Sequence, residues 1–177
     1  QPLLENDLDL IVAGISSNGI EWFAKQISKN YKKKLPIVLL TKGLSIVENE
    51  LTTLSDKIKN ILEKNGHSEI NISAIKGPCL AAGLANKMRT GTVIANQNIK
   101  ECLSLKNIIS TNYYSTEISE DITGVELSGA IKNIYSMLIG ASEGLSNSKA
   151  TKEIQSKYFL NTAASLIHRS ISEMVEF

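Results

Sequence analysis

The residue in this sequence that most suggests chemistry is Lys132, the one lysine of Glu120–Leu145, EDITGVELSGAIKNIYSMLIGASEGL. Apolar residues recur there at Ile122, Val125, Ile131, Ile134, Met137 and Leu138, a spacing that predicts a helix buried over most of its circumference. An ammonium in such a setting must find a partner or hold its proton less tightly. A lysine tuned that way serves as a general acid or base near neutral pH. Ser128 and Ser136 lie four residues to either side, on the same face, and Gly129 leaves room for a ligand or a neighbouring backbone. A structural reading also stands: Lys132 snorkels to solvent, or pairs with Glu126 or Glu143.

Two other clusters carry chemistry-bearing side chains. Thr41-Lys42-Gly43 follows a short apolar run; Lys42 suits a phosphate or carboxylate, and Gly43 lets the backbone come close. A lone loop lysine in solvent is the plainer reading. Lys76-Gly77-Pro78-Cys79-Leu80-Ala81 turns the chain into an alanine-rich helix, and Cys79 stands at its start. With no histidine nominated beside it, Cys79 is read as a small site-lining or buried residue rather than a nucleophile.

The elements that must position these residues follow from periodicity. Strands are expected at Asp7–Ile15, Ile37–Leu40, Ile70–Ile75, Thr90–Ala95 and Thr111–Thr116, and helices at Glu21–Lys33, Glu50–Lys64 and Asn98–Asn107. The β-α-β-α-β order up to Ala81 is that of a wound parallel sheet, whose ligands bind at the carboxyl ends of the strands. After Glu120 the pattern turns helical, with a closing helix over Tyr158–Phe177 expected to pack back on the Lys132 helix. The expected division is an α/β part, residues 1–119, and the start of an all-helical part, residues 120–177. Ser146–Lys157 lacks apolar periodicity and is expected as a loop or short helix.

Composition narrows the classes. The chain has 177 residues, a net charge of +1 and 21% charged residues, which gives no electrostatic case for nucleic acid. The basic run Lys32–Lys34 reads as a solvated helix end. Cys79, Cys102, His67 and His168 show no disulfide or metal-ligand spacing, so a reducing, cytoplasmic setting without a metal is expected. No apolar run reaches membrane-spanning length. Beginning at Gln1 and entering a strand almost at once, the sequence reads as a piece of a longer protein.

Thr41–Gly43 (TKG), Gly77–Ala81 (GPCLA), Gly124–Ile134 (GVELSGAIKNI), the GASEGL that follows and Asn161–Met174 (NTAASLIHRSISEM) together resemble the NAD(P)-dependent glycerol-3-phosphate dehydrogenases. The GVELxGAxKN string is the specific part. The resemblance implies part of a Rossmann-like parallel sheet followed by a helical domain. It implies reduction of dihydroxyacetone phosphate to sn-glycerol 3-phosphate with NAD or NADP, for glycerophospholipid precursors. It further implies that Lys132 is the proton donor and acceptor with Asn133 in the same site, and that Lys42 lies between cofactor and substrate. Gly77 and Cys79 would line the substrate site, Ala81 would touch the cofactor, and Ser16 and Ser17 would form a loop near the nicotinamide.

Measured against that family, the Gly-x-Gly-x-x-Gly loop and the arginine segment for the substrate phosphate fall outside the chain, so the piece alone is expected to be inactive. Cys79 stands where serine, threonine or asparagine is usual, and Glu143 where aspartate is. Two alternatives follow: a non-catalytic relative that binds nucleotide or dimerises, and a related dehydrogenase for another hydroxy acid or phospho-substrate. A homodimer is compatible with each.

Overall fold

A computed structural model describes residues 8–30, 35–146 and 159–176. The chain divides into two compact units, residues 1–129 and 130–177.

The first unit is built on a five-stranded sheet in the order β1 (Ile11–Ala13), β2 (Ile37–Leu39), β5 (Ile72–Lys76), β6 (Thr90–Ala95), β7 (Tyr114–Ser119). β1, β2 and β5 run parallel, with Ile11 opposite Ile37 and Ile37 opposite Ile72. Every residue of β2 and of β5 is buried; β2, Ile-Val-Leu, therefore reads as a continuous apolar run, whereas β5 buries Ser73 and Lys76 among its apolar residues. Two helices cover one face. α1 (Ile20–Asn30) inserts Ile20, Ala24 and Ile27, and α2 (Leu54–Lys64) inserts Leu54, Ile58 and Leu62, each set at helical spacing. Thr53 caps α2 by accepting from the Asp56 amide at 3.1 Å. Cys102 and Leu105 of α4 (Ile99–Ile109) close on Val38, Ile75 and Ile94.

Three local departures from the expected elements have physical causes. The first turn of the expected helix Glu50–Lys64 is a strand, β4 (Glu50–Thr53), paired antiparallel with β3 (Leu44–Val47). Glu48 and Asn49 between them hold φ of +53° and +68°, the paired positive values of a tight hairpin turn, written without the usual Asn-Gly signal. β6 lies antiparallel to β5, because the five-residue α3 (Ala81–Ala85) reverses the chain at the sheet edge instead of carrying it across a face. β7 starts at Tyr114 rather than Thr111, since the Thr111 hydroxyl accepts from the amides of Tyr113 and Tyr114 and holds a turn there.

The long helix α5 (Ile122–Ser146) opens in the first unit, where the Asp121 carboxylate accepts from the Gly124 amide at 2.8 Å and Ile122 packs on Ala74 and Ala95. Contrary to the expectation of burial over most of its circumference, its later apolar side chains Ile134, Met137 and Leu138 are exposed. In the second unit, Tyr135 of α5 donates to Glu173 of α6 (Phe159–Val175) at 3.2 Å, and Arg169 pairs with Glu173 at 2.6 Å. The stretch after Ser146 as far as Lys157, and the basic run Lys32–Lys34, lie outside the described residues.

Candidate functional site

The carboxyl ends of β1, β2 and β5 bring three of the expected site loops together. The Thr41 hydroxyl donates to the Ile15 carbonyl at 2.8 Å, tying the loop after β2 to the loop that holds Ser16 and Ser17. Gly43 has φ of +131°, a conformation that favours glycine, and a Cβ there would lie 3.5 Å from the Ser17 Cβ. Lys42, exposed, donates from Nζ to the Gly77 carbonyl at 3.0 Å, across the edge from β2 to β5. Gly77 is required by packing: a Cβ would meet the Gly91 carbonyl at 2.7 Å. Thus the Lys42-Gly43 pair touches Ser17 through Gly43 and Gly77 through Lys42. Ser16 is exposed on the same loop, and its carbonyl accepts from the Gly19 amide at 2.9 Å.

Cys79 is half-buried, its Sγ 3.3 Å from both the Gly91 carbonyl and the Thr90 hydroxyl at the start of β6. No histidine is among those partners. Ala81 is the exposed first residue of α3. Cys102 is a buried free thiol whose pKa burial pushes up, which makes it inert core.

Beneath this edge lies a charged pair that the sequence reading did not assemble. Lys76, the last residue of β5, and Glu126 of α5 keep only 4% and 0% of their side-chain surface, and Lys76 Nζ stands 3.6 Å from Glu126 Oε1. Glu126 Oε2 accepts from the Ser55 amide at 3.2 Å and from the Ser55 hydroxyl. Lys76 Nζ also donates to the Thr41 carbonyl. Burial holds the Lys76 pKa below the ordinary lysine value, the Glu126 carboxylate opposes that shift, and the nearby Lys42 charge adds to it. Gly129 gives the pair room, since a Cβ there would sit 3.2 Å from the Lys76 stem. The room expected beside Gly129 for a ligand or a backbone is taken by Lys76. Glu126, weighed from sequence as a partner of Lys132, is the partner of Lys76. The missed signal was a glutamate four residues after Ile122, on the core-facing side of its helix, facing a lysine at the end of a wholly buried strand.

In the second unit, Lys132 Nζ donates to the Asn133 Oδ1 at 2.7 Å, and the Ser136 hydroxyl donates to the Lys132 carbonyl at 3.0 Å. Lys132 is half-buried, and no ion pair joins it to Glu143 among the described residues. A separate cleft of about 360 Å³ lies at the amino end of β5, lined by Ser55, Asp56, Asn71 and Asn96 among others. It contains none of the expected site residues. No cluster of metal-ligating side chains occurs among the described residues, and none of their helices is long and apolar enough to cross a membrane.

A wound sheet with polar loops gathered at the carboxyl ends of its parallel strands is the architecture of a Rossmann-like α/β protein. The chain is a member of the glycerol-3-phosphate dehydrogenase family. Residues 4–102 match the model for the NAD-dependent glycerol-3-phosphate dehydrogenase N-terminus, and residues 121–177 match that for its C-terminus. The chain is 30% identical over 95% of its length to a glycerol-3-phosphate dehydrogenase [NAD(P)+] of Leptospira biflexa, covering 46% of that protein. It is 30% identical over 98% of its length to an NADP(+)-dependent glycerol-3-phosphate dehydrogenase of Archaeoglobus fulgidus, covering 48% of it. The glycerol-3-phosphate dehydrogenase structure from Saccharomyces cerevisiae superposes with a TM-score of 0.77 at 21% identity, covering 99% of this chain and 48% of that one, which establishes the shared fold. The chain therefore spans about half the length of the curated relatives it matches.

Proposed function

We propose that the complete protein interconverts dihydroxyacetone phosphate and sn-glycerol 3-phosphate with NAD or NADP, as a source of glycerophospholipid precursors. Family membership and the names of the relatives support this reading. The observation that carries it is Lys42 at the carboxyl edge of the sheet, bonded to the Gly77 carbonyl and followed by Gly43, which lies against Ser17. That edge is exposed and polar at Ser16, Ser17 and Lys42, which fits a dinucleotide and a small phosphorylated substrate.

In this reading residues 1–119 are part of the dinucleotide-binding domain and residues 120–177 the start of the helical substrate domain. Bound at the edge, the nicotinamide cofactor supplies the hydride. Ser16, Ser17 and Ala81 hold the cofactor side. Gly77 and Cys79 line the substrate side, and Lys42, with two of its three ammonium donors left after the Gly77 bond, reaches both. Lys132, oriented by Asn133, gives its proton to the substrate oxygen as the carbonyl is reduced and takes it back in the reverse direction. Two free cysteines among the described residues support a cytoplasmic setting. A homodimer belongs to the same reading, supported by the exposed apolar side chains of α5, and light scattering of the complete protein tests it.

The test is oxidation of NADH or NADPH by the complete protein with dihydroxyacetone phosphate, run beside other carbonyl substrates. Turnover with dihydroxyacetone phosphate is the expected result. Oxidation with a different carbonyl substrate alone would remove the substrate assignment. Nucleotide binding without any turnover would favour the non-catalytic relative, the reading to which the thiol of Cys79 points.

A further inference from the structure

Lys76 has no part in the chemistry assigned above, yet it is a buried lysine touching the loop that carries Lys42. Its ammonium donates to the carbonyl of Thr41, and the ammonium of Lys42, the next residue, donates back to the carbonyl of Gly77, the residue after Lys76. Two adjacent residue pairs at the ends of β2 and β5 thus clasp each other through side-chain-to-backbone bonds in both directions. The clasp is anchored from behind. Glu126 stands 3.6 Å from Lys76 Nζ and is itself held by the amide and hydroxyl of Ser55 at the start of α2. From the other side, the Thr92 hydroxyl donates to the Lys76 carbonyl at 2.6 Å.

A buried ion pair adds little stability over well-packed apolar side chains of similar volume, so its use here is better sought in geometry. We infer that Lys76 is a positioning residue: through the Thr41 carbonyl it fixes the direction in which Lys42 leaves the sheet edge, and Glu126 with Ser55 fixes Lys76. The inference rests on the dehydrogenase reading for the consequence it has on turnover. For its structural content it rests on the clasp alone.

The deciding variant is the double substitution Lys76→Met with Glu126→Gln in the complete protein, which removes both charges and so strands neither in the core. If the network served stability only, restoring the fold would restore everything. The clasp predicts instead that kcat with dihydroxyacetone phosphate falls about tenfold or more in the folded variant, as a misdirected Lys42 requires. A kcat equal to wild type would overturn the inference. On a Lys42→Ala background the same double substitution should have no further effect on kcat, because the group it positions is gone; full additivity would overturn it.

A second readout does not depend on the reaction. Competitive acylation followed by peptide mass spectrometry reports the reactivity of the Lys42 amine, expected to rise about threefold or more when its hydrogen-bonded direction is lost. An unchanged rate would overturn the inference. Absence of wild-type turnover would remove the dehydrogenase reading, and the acylation rate would still decide the role of Lys76. Should the double variant fail to fold, Lys76→Arg takes its place: it keeps a cation opposite Glu126 but brings a bulkier planar head to the Thr41 carbonyl, and the same results apply.

Discussion

Lys76 and Lys132 show what burial does to the same side chain in two regions of one molecule. Lys76 is sealed into the first unit, with a carboxylate and a carbonyl fixed around its ammonium. Lys132, half-buried in the second unit, rests on the neighbouring amide of Asn133. A sealed ammonium is committed to the partners that keep it charged, whereas one held by a single neutral neighbour keeps donors for a substrate. Burial in an apolar run, the property that drew attention to Lys132 in the sequence, belongs to Lys76.

This contrast can be broken in order of expected effect. Glu126→Ala strands the Lys76 charge and leaves the Ser55 donors unpaired, and should lower the unfolding free energy by about 3–5 kcal/mol, read from the denaturant midpoint. A variant as stable as wild type would show that the pair holds nothing.

Alkaline pH sharpens the contrast further. Folded Lys76 binds its proton less tightly than the unfolded chain does, so between its lowered pKa and about 10.4 the unfolded state carries more protons and stability rises with pH. The slope is at most about 1.4 kcal/mol per pH unit. It appears as a difference from the Lys76→Met, Glu126→Gln protein, which cancels opposing groups such as Cys102. Parallel curves for the two proteins would remove it. The smallest effect is expected at the other lysine. Asn133→Ala removes the acceptor of an exposed bond and should change thermal stability by under about 0.5 kcal/mol, while lowering kcat. A large loss of stability would place Lys132 in the structural class with Lys76.

Much of the first unit was legible because its signals are local. Ile37–Leu39 is a continuous apolar run between breakers, and Leu54, Ile58 and Leu62 repeat at helical spacing, so the strand, the helix and the edge carrying Lys42 and Gly77 could be read residue by residue. The hairpin was hidden because Glu48-Asn49 reaches the paired positive φ values without glycine, and because Leu51 continues the helical spacing of α2 into β4. The partnership of Lys76 and Glu126 was hidden for a different reason. Fifty residues separate them, so no local period links them, and only the demand that a buried charge be paired connects a lysine ending β5 with a glutamate on the core side of α5. The roles proposed for Lys132 and Asn133 rest on the GVELxGAxKN resemblance, since spacing alone left Lys132 open to a structural use.

The most direct test of this division between the two lysines is kcat for dihydroxyacetone phosphate reduction by the complete Lys132→Ala protein, measured with its nucleotide affinity and melting temperature. A general acid or base predicts a loss of about 10²–10⁴-fold in kcat with affinity and melting temperature unchanged. Turnover equal to wild type, or a collapse of the fold, would contradict it.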